Sequence, residues 1–328
     1  MTVRLSLLKA IYSLSPLKSV KKAIKDSLSV EEKIRFSGIK FIDKREIDAA
    51  LDASHDPGVS GRAGKPEIIV SLTSFPERMD ELHYTIHSLL SQTFRPDQVV
   101  LWLCRSQFPG LERDLPGAVL ALAARGLTIR FCEKDLRSYK KLVPALAAHP
   151  EAVIVTADDD IYYDPGWLER LVRIHQASPG TVVAYAAKEI ALREDGTPKP
   201  YGTWHRYSLR RRPRGDSAFI FATGYGGILY PPGSLHADVV REDLFLGLAP
   251  YADDIWFWAM RVLEGTGIRL VGPRFQRRMA YVNPQRELGL STQLRLASSN
   301  IQQQGNDRQL RAVLGHYPVL AERLSRPS

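Results

Sequence analysis

From residue 67 onward the chain alternates short apolar runs with segments of helical periodicity, and this alternation restricts its fold most. The runs predict strands at Glu67–Leu72, Gln98–Leu103, Leu127–Cys132, Ala152–Thr156 and Thr181–Ala187. Helices are predicted in the gaps at Asp80–Ser91, Leu111–Arg125 and Tyr139–Ala148. Continuous apolar strands separated by helices are typical of an α/β fold whose mostly parallel sheet is covered on both faces. Ligands bind such sheets beyond the carboxyl ends of the strands.

The sequence before this region differs in character. Residues 5–28 have apolar side chains at helical spacing, interrupted at Pro16, with lysines on much of the remaining face. The stretch Asp52–Pro66 is rich in Gly, Pro, Ser and Asp and predicts a linker. We therefore expect three parts: a basic helical extension with its linker at 1–64, an α/β domain at 65–275, and a C-terminal segment at 276–328.

The net charge of +9 is concentrated in two places. Residues 1–40 carry a net +6 and residues 205–214 carry five arginines without an acid, which leaves −2 for the rest of the chain. Nucleic-acid-binding proteins usually carry their positive charge along the folded face that reads the ligand. The near-neutral body therefore argues against nucleic acid as the partner.

The sequence also indicates a compartment. Its two cysteines, Cys104 and Cys132, lie inside apolar runs and cannot build a disulfide scaffold. The chain has no stretch of about 20 apolar residues and no signal-peptide pattern at its N-terminus. A reduced, cytoplasmic location is therefore expected.

Three consecutive aspartates, Asp158, Asp159 and Asp160, follow the fourth apolar run. Alternate side chains of an extended chain share a face, so Asp158 and Asp160 are expected to point together and Asp159 away from them. Two carboxylates at a strand end suit a hard divalent ion, and three adjacent acids at a buried end are costly without a cation. The alternative is that Asp160 or Asp164 caps a helix that begins near Pro165.

Polar residues follow two further strands. Thr73 and Arg78 come at the end of the first strand, where they could receive a nucleoside, although hydroxyl residues before a helix are commonly caps. Asp135 and the pair Lys140-Lys141 follow the third strand. A lysine at the start of the next helix could neutralise a diphosphate, and the alternative is a solvated helix face.

Two more segments carry candidate residues. Gly226 and Gly227 allow close backbone approach to a ligand, or form only a tight turn. Asp253 and Asp254 open an aromatic helix, where they either stabilise the helix N-terminus or supply a general base. Four aromatic residues are candidates for stacking on sugar rings or for the core: Tyr201, Trp204, Trp256 and Trp258.

Taken together, these motifs and their order resemble one family. They read TSFPER at 73–78, DLRSYKKL at 135–142, VTADDDIYY at 155–163, GYGGILYPPG at 224–233 and PYADDIWFWAM at 250–260. This order is similar to that of GT-A-fold glycosyltransferases, in particular the bacterial family-2-like enzymes of capsule, O-antigen and related surface-polysaccharide synthesis. The resemblance covers about residues 65–271, with the segment 306–309 as a candidate extension. It implies a Rossmann-like nucleotide-binding sheet flanked by helices. By this resemblance, 65–275 is the catalytic domain and 276–328 is an acceptor-side or lid segment.

Position by position, the resemblance implies roles. Asp158 and Asp160 match the DxD motif that holds a divalent metal, Mn²⁺ or Mg²⁺. Asp254 matches the catalytic base, with Asp253 as the second candidate. The implied donor-binding residues are Thr73, Arg78, Asp135, Lys141, Asp158, Asp159, Gly226 and Gly227. The chain departs from the family at Arg137-Ser138, where Gly-Pro is expected at the diphosphate. His205 and His316 are candidates for the further metal ligand that many relatives use.

The resemblance implies inverting transfer of a sugar from a nucleotide-diphosphate donor, expected to be a UDP-hexose such as UDP-galactose, to a glycan or lipid-linked glycan. The alternatives are a nucleotidyltransferase acting on sugar phosphates and a non-catalytic membrane-associated adaptor. The first normally has a Gly-rich loop after its first strand, which TSFPER is not. The basic segments 1–40 and 206–214 predict docking on the anionic inner face of the cell membrane. The alternative is a helix packed on the core with its lysines solvated.

Overall fold

The computed structural model describes residues 3–14, 18–37, 39–61, 66–207, 217–272, 279–284 and 305–325. The strands are β1 (Ile68–Thr73), β2 (Gln98–Cys104), β3 (Leu127–Cys132), β4 (Val153–Thr156), β5 (Ile161–Tyr162), β6 (Val182–Ala184), β7 (Ala187–Glu189), β8 (Ile220–Ala222), β9 (Ile228–Tyr230), β10 (Ile268–Leu270) and β11 (Ala280–Tyr281). The α-helices are α1 (Val3–Leu14), α2 (Lys18–Asp26), α3 (Val30–Ser37), α4 (Lys44–Ala53), α5 (Met79–Leu89), α6 (Gly117–Leu120), α7 (Val143–Ala148), α8 (Trp167–Ala177), α9 (Glu242–Leu248), α10 (Asp253–Glu264), α11 (Gly305–His316) and α12 (Pro318–Ser325).

Seven strands form one central sheet in the order β10-β6-β9-β4-β1-β2-β3. All neighbouring strands are parallel except β9, which runs antiparallel to β4 and β6. The predicted α/β class with a mostly parallel sheet is confirmed. The fifth predicted strand is divided, because its first half is β6 of the central sheet and its end is β7, which pairs with β8 in a separate ribbon.

Both faces of the sheet are buried, as the continuous apolar strands predict. Along β1, Ile69 faces one core, whereas Val70 and Leu72 face the other. Helices α7, α10, α11 and α12 pack in the first core, and α5, α6 and α8 pack in the second. Because β1, β2 and β4 run parallel, their carboxyl ends meet at one edge of the sheet, where the predicted site residues follow them.

Two predicted helices are shorter than expected. The segment 111–125 consists of the single helical turn α6 with one 3₁₀ segment before it and one after it. A continuous helix is interrupted because Pro116 has no amide hydrogen. The segment 139–148 begins inside a 3₁₀ turn, Arg137–Lys141, and only its second part forms α7. Pro144 lies in the first turn of α7, where helices tolerate proline.

Helix α1 contacts both α2 and α3, and Leu5, Ile24 and Leu28 are buried. The predicted break at Pro16 falls at residues 15–17, outside the described residues. None of the described helices is both long and apolar enough to cross a bilayer.

The described part of the predicted linker is packed on the core. The backbone N–H of Gly58 donates to Arg125 O at 2.7 Å, and that of Ser60 donates to Pro96 O at 2.7 Å. A Cβ on Gly58 would lie 2.5 Å from Leu90, so glycine permits this approach. Residues 54–61 are therefore a packed loop and not the flexible linker that their Gly, Pro, Ser and Asp content predicts.

Candidate active site

A cavity of about 680 Å³ opens at the carboxyl ends of β1 and β4. Its wall combines the end of β1, the loop after β4, the loop after β8 and the first turn of α10. Nine of the predicted site residues meet there, namely Thr73, Arg78, Asp135, Lys141, Asp158, Asp159, Asp160, Asp253 and Asp254. The fold thus brings together motifs that lie far apart in the chain.

The acidic triplet, Asp158, Asp159 and Asp160, is not arranged by strand alternation. Arg78 Nη1 donates both to Asp159 Oδ1 and, at 2.8 Å, to Asp160 Oδ2. Ser74 Oγ donates to the second oxygen of Asp159 at 2.6 Å. The expectation that Asp159 points away from Asp160 is therefore wrong. The physical reason is that β4 ends at Thr156, so the triplet lies in a turn.

The helix-cap alternative for the triplet also fails. Helix α8 begins at Trp167, and Asp160 bonds Arg78 instead of the backbone N–H groups of that helix. Asp164 accepts from the N–H of Gly166 at 3.3 Å and pairs with Arg170 at 2.5 Å. Of the two aspartates considered as caps, Asp164 is therefore the one that accepts from a backbone N–H just before α8.

Burial raises the pKa of Asp160 to about 6, and repulsion by Asp159 and Asp158 adds to the rise against the attraction of Arg78. Burial would lower the pKa of Arg78, but Asp159 and Asp160 outweigh it and raise that pKa. The triplet therefore carries more negative charge than Arg78 offsets.

Lys141 joins the triplet to the acidic pair, Asp253 and Asp254. Its Nζ lies 3.1 Å from Asp158 Oδ1 and 3.0 Å from Asp253 Oδ2, and its side chain is buried. Burial would lower the pKa of Lys141, but Asp158, Asp253 and Asp254 raise it well above its ordinary value. The lysine expected on a solvated helix face or beside a diphosphate is thus an internal bridge between two acidic sites.

Asp254 is the carboxylate of the acidic pair that lacks a cation partner among the described residues. It accepts a hydrogen bond from the backbone N–H of Gly224 at 3.0 Å, whereas Asp253 is ion-paired with Lys141. Burial, reinforced by the neighbouring Asp253, raises the pKa of Asp254 to about 7. A carboxylate with this pKa, facing a cavity, has the properties of a general base near neutral pH.

The predicted nucleoside-binding residues divide into two groups. Thr73 and Asp135 line the cavity, with Thr73 Oγ1 bonded to Trp102 O at 2.7 Å and Asp135 paired with the buried Lys140. Burial would raise the pKa of Asp135, but its bonds to Lys140 lower it. Arg78 also lines the cavity, but its guanidinium is held by the acidic triplet.

The glycine segment differs from the prediction. Gly224 and Tyr225 line the cavity, whereas Gly226 and Gly227 do not. Gly227 has a φ of 94°, and a Cβ there would lie 2.5 Å from the ring of Trp167. Gly226 accepts a bond from Trp167 Nε1 at 2.9 Å. These two glycines therefore serve packing against α8, in agreement with the tight-turn alternative.

Sequence reasoning missed the role of several cavity residues. Lys188 Nζ lies 3.8 Å from the ring centre of Tyr201, and the guanidinium carbon of Arg137 lies 4.1 Å from that of Tyr251. Arg137 has a φ of 53°, the left-handed conformation that favours glycine. The glycine that the resemblance leads one to expect near this position is the signal that could have indicated this backbone conformation.

The remaining candidates lie elsewhere. His205 and His316 are exposed and do not line the cavity. Trp204, Trp256 and Trp258 are buried, with their ring N–H groups bonded to backbone carbonyls, so they belong to the core. Of the four aromatic candidates, Tyr201 alone lines this cavity.

The triplet fits a divalent cation in donor type and in charge. Carboxylate oxygens are the donors that Mg²⁺ and Mn²⁺ prefer, and the pKa of Asp160 is raised first by burial and then by the neighbouring charges of Asp159 and Asp158, which a cation would offset. No group of three or more His, Cys, Asp or Glu arranged to hold a metal is present among the described residues. A metal here would therefore need ligands from a bound phosphate or from water.

Comparison with known proteins gives limited information. No family model matches the chain, and no curated protein matches it. Among solved structures, the chain is similar to the crystal structure of TarS 1-349 from S. aureus, with a TM-score of 0.41 and 16% sequence identity. The alignment covers 76% of this chain and 70% of that chain. A likeness this distant carries no inference about activity.

Proposed function

We propose that this protein is a metal-dependent, inverting glycosyltransferase with the GT-A fold, acting in surface-polysaccharide synthesis. The donor is a nucleotide-diphosphate sugar, with a UDP-hexose such as UDP-galactose as the first candidate, and the acceptor is a glycan hydroxyl. The single observation that carries this proposal is the position of Asp254. It is a partly buried carboxylate with a pKa raised to about 7, in one cavity with the acidic triplet.

The proposed reaction is a direct displacement. Asp254 takes the proton of the acceptor hydroxyl as the acceptor oxygen forms its bond to the anomeric carbon. The bond from that carbon to the diphosphate oxygen breaks, and its electron pair leaves with the nucleoside diphosphate. Attack opposite the leaving group inverts the anomeric configuration. Asp253 stays paired with Lys141, which keeps the first turn of α10 in position beside the cavity.

The triplet is the proposed metal site. Asp158 and Asp160 would hold Mn²⁺ or Mg²⁺, which when bound supplies a Lewis acid for the negative charge that develops on the diphosphate. Arg78 and Lys141 hold the carboxylates in place from either side. Thr73, at the end of β1, and Asp135, after β3, are proposed to contact the nucleoside.

The first experiment is a thermal-shift screen of sugar nucleotides with Mn²⁺, in which a ligand at a hundred times its Kd adds about 2.7 kcal/mol. The stabilising donor is then tested for hydrolysis and for transfer. We expect Asp254→Asn to lower turnover by about 10²–10⁴-fold while the donor Kd changes less than about twofold. The exposed Asp243→Asn serves as the matched control. A fully active Asp254→Asn enzyme would refute the assignment.

The two alternatives predict other outcomes. A nucleotidyltransferase would release pyrophosphate from a nucleoside triphosphate and a sugar phosphate, and we expect none. A non-catalytic adaptor would neither bind nor hydrolyse a sugar nucleotide. Isothermal calorimetry of UDP with and without Mn²⁺ adds a test of the metal, because Asp158→Ala should remove the Mn²⁺-dependent part of the affinity and leave the metal-free part.

The N-terminal helices are proposed to dock the enzyme on an anionic membrane surface. Leu7, Ile11 and Leu14 lie on one stripe of α1, and their exposed fractions are 60%, 42% and 84%. Lysines are abundant in the same region of the sequence, and an apolar stripe with basic neighbours suits the interface of an anionic bilayer. Of the second basic segment, Arg206 and Tyr207 lie within the described residues and 208–216 lie outside them.

Co-sedimentation with liposomes tests this docking. The intact chain should bind vesicles with anionic lipid more strongly than neutral vesicles, and replacement of Leu7, Ile11 and Leu14 by serine should abolish the difference. Val240 and Val319, exposed elsewhere on the protein, are replaced by serine in the control. Equal binding of the two variants would show that α1 is not the anchor.

A further inference from the structure

One side of the cavity has a different composition from the acidic triplet. Two tyrosine rings face it, each in contact with a cation: Tyr201 with Lys188, and Tyr251 with Arg137. We call these four residues the cation–aromatic wall. Arg137 also donates from Nη1 to Pro250 O at 3.1 Å, in the loop that leads into α10.

The C-terminal helix α11 holds both tyrosines of the wall. The backbone N–H of Tyr201 donates to Asp307 Oδ1 at 2.7 Å, and that of Tyr251 donates to Gln309 Oε1 at 2.8 Å. Gln309 is itself buried and bonded to Gly305 O at 3.0 Å. Two side chains near the start of α11 therefore hold the backbone of both tyrosines of the wall.

Lys188 differs from the other lysines of the cavity in having no carboxylate partner among the described residues. Of the three lysines that line the cavity, Lys140 is paired with Asp135 and Lys141 with both acidic sites. Within the described part of the chain, Lys188 forms no ion pair. Burial lowers its pKa, which the charge of Asp254 only partly opposes. A partly buried ammonium without a carboxylate partner is costly, and an anionic ligand would offset that cost.

The position of the wall identifies the part of the reaction that it serves. Its cations lie near the acidic pair. The charge of Asp254 acts to raise the pKa of Lys188, and Arg137 donates to Pro250 O in the loop before Asp253. The cations that contact the triplet, on the donor side, are Arg78 and Lys141. The wall therefore lies on the side of the cavity that adjoins Asp254, the group that would take the acceptor proton.

We propose that the cation–aromatic wall is the acceptor subsite and that it takes a glycan bearing anionic groups, carboxylate or phosphate, near the reacting hydroxyl. This proposal rests on the proposed glycosyl transfer. The tyrosine rings stack on the apolar faces of sugar rings, while Lys188 and Arg137 bind the anionic substituents. The segment 306–309 then has a role, because α11 fixes the subsite.

Binding of defined sugars to the intact chain, with UDP and Mn²⁺ in the donor site, tests the proposal by calorimetry and saturation-transfer NMR. The carboxylate probe is trigalacturonate, compared with a neutral galactose trimer. The phosphate probe is glucose 6-phosphate, compared with glucose. We expect at least one anionic probe to bind about tenfold more tightly than its neutral counterpart. Which probe does so distinguishes a carboxylate from a phosphate acceptor.

Lys188→Gln should remove this preference by lowering the affinity of the anionic probe about tenfold, with the neutral probe changed less than about twofold. Lys199→Gln, an exposed lysine outside the cavity, is the matched control. Equal binding of charged and neutral probes, no binding of either anionic probe at millimolar concentration, or an unaltered preference in Lys188→Gln would each overturn the proposal. If UDP itself fails to bind, the proposed function fails, and the same probes without UDP still test the wall.

Discussion

The acidic half of the cavity and the cation–aromatic wall use their charges in opposite ways. In the acidic half, Arg78 and Lys141 are bound by carboxylates of the protein itself. In the wall, Lys188 and Arg137 contact rings and a backbone carbonyl. Charges already paired inside the protein hold the structure together, whereas charges stacked on rings stay available to a ligand. The comparison predicts that substitutions in the acidic half alter stability, and that those in the wall alter binding.

The largest effect is expected at Lys141. Lys141→Met leaves the partly buried Asp158 and Asp253 without their shared, buried cation, so we expect a loss of up to about 3–5 kcal/mol, the cost of removing one partner of a buried ion pair. Lys188→Met loses one cation–π contact and a partly buried charge, so its free energy of unfolding should change by less than about 1 kcal/mol. Urea denaturation of both variants measures the difference. Equal losses would contradict the division between the two regions.

The glycine segment beside the acidic half gives the next largest effect. Gly227→Ala places a methyl group 2.5 Å from the Trp167 ring at a φ of 94°, so we expect a loss of about 1–3 kcal/mol in the free energy of unfolding. In Gly224→Ala the Cβ would lie 3.0 Å from Lys141 Nζ, the end of a flexible side chain. Compared with Gly227→Ala, Gly224→Ala should lower the free energy of unfolding less and the turnover number more. Denaturation with donor-hydrolysis assays separates the two, and a less stable Gly224→Ala would be the contrary result.

Asp254 should make stability fall as pH rises. Its pKa is about 7 in the folded protein against an ordinary 3.8, so the folded state binds the extra proton between these values and loses stability as pH increases through that window. Asp254→Asn should therefore have a higher Tm than the wild type at pH 8, by a few degrees, and little advantage at pH 4. Thermal melts across pH measure this. A pH-independent difference would mean that Asp254 is not the group responsible.

The smallest effect is expected at Arg137 and concerns the backbone of the wall. Its φ of 53° costs a non-glycine residue roughly 1–2 kcal/mol. Arg137→Gly and Arg137→Ala both lose the contact with Tyr251, but only glycine relieves the backbone. The glycine variant should therefore be more stable than the alanine variant by about 1 kcal/mol. Identical unfolding free energies would show that this conformation is not strained.

The parallel strands were the most predictable part of the fold. The predicted strand Leu127–Cys132 coincides with β3, and the predicted bounds of β1, β2 and β4 differ by at most one residue, because a strand buried on both faces is a continuous apolar run. The antiparallel β9 was visible only as the apolar run Ile228–Tyr230, since nothing local specifies strand direction. The prediction of one helix at 111–125 was wrong. The apolar residues keep helical spacing across Pro116, although the helix is interrupted there.

In the candidate site, the order of motifs indicated which residues meet, but not how they pair. Asp158, Asp160 and Asp254 were expected at one edge of the sheet, and they line one cavity. Their partners, Arg78 and Lys141, were predicted to contact a nucleotide, and nothing in the sequence indicated that they also pair with these carboxylates. Lys188 carried no sequence signal, because a single lysine in a short strand looks like any exposed charge.

The sequence by itself determined the α/β class, the edge of the sheet at which the site lies and the acidic residues that reach it. These follow from periodicity and from the order of motifs along the chain, which are local properties. Only the tertiary structure decided which cations neutralise the acids, which are left for a ligand, and that α11 fixes the wall. Those outcomes depend on burial and on distances between side chains far apart in sequence, because a charge is neutralised by whatever lies within a few ångströms of it in the folded protein.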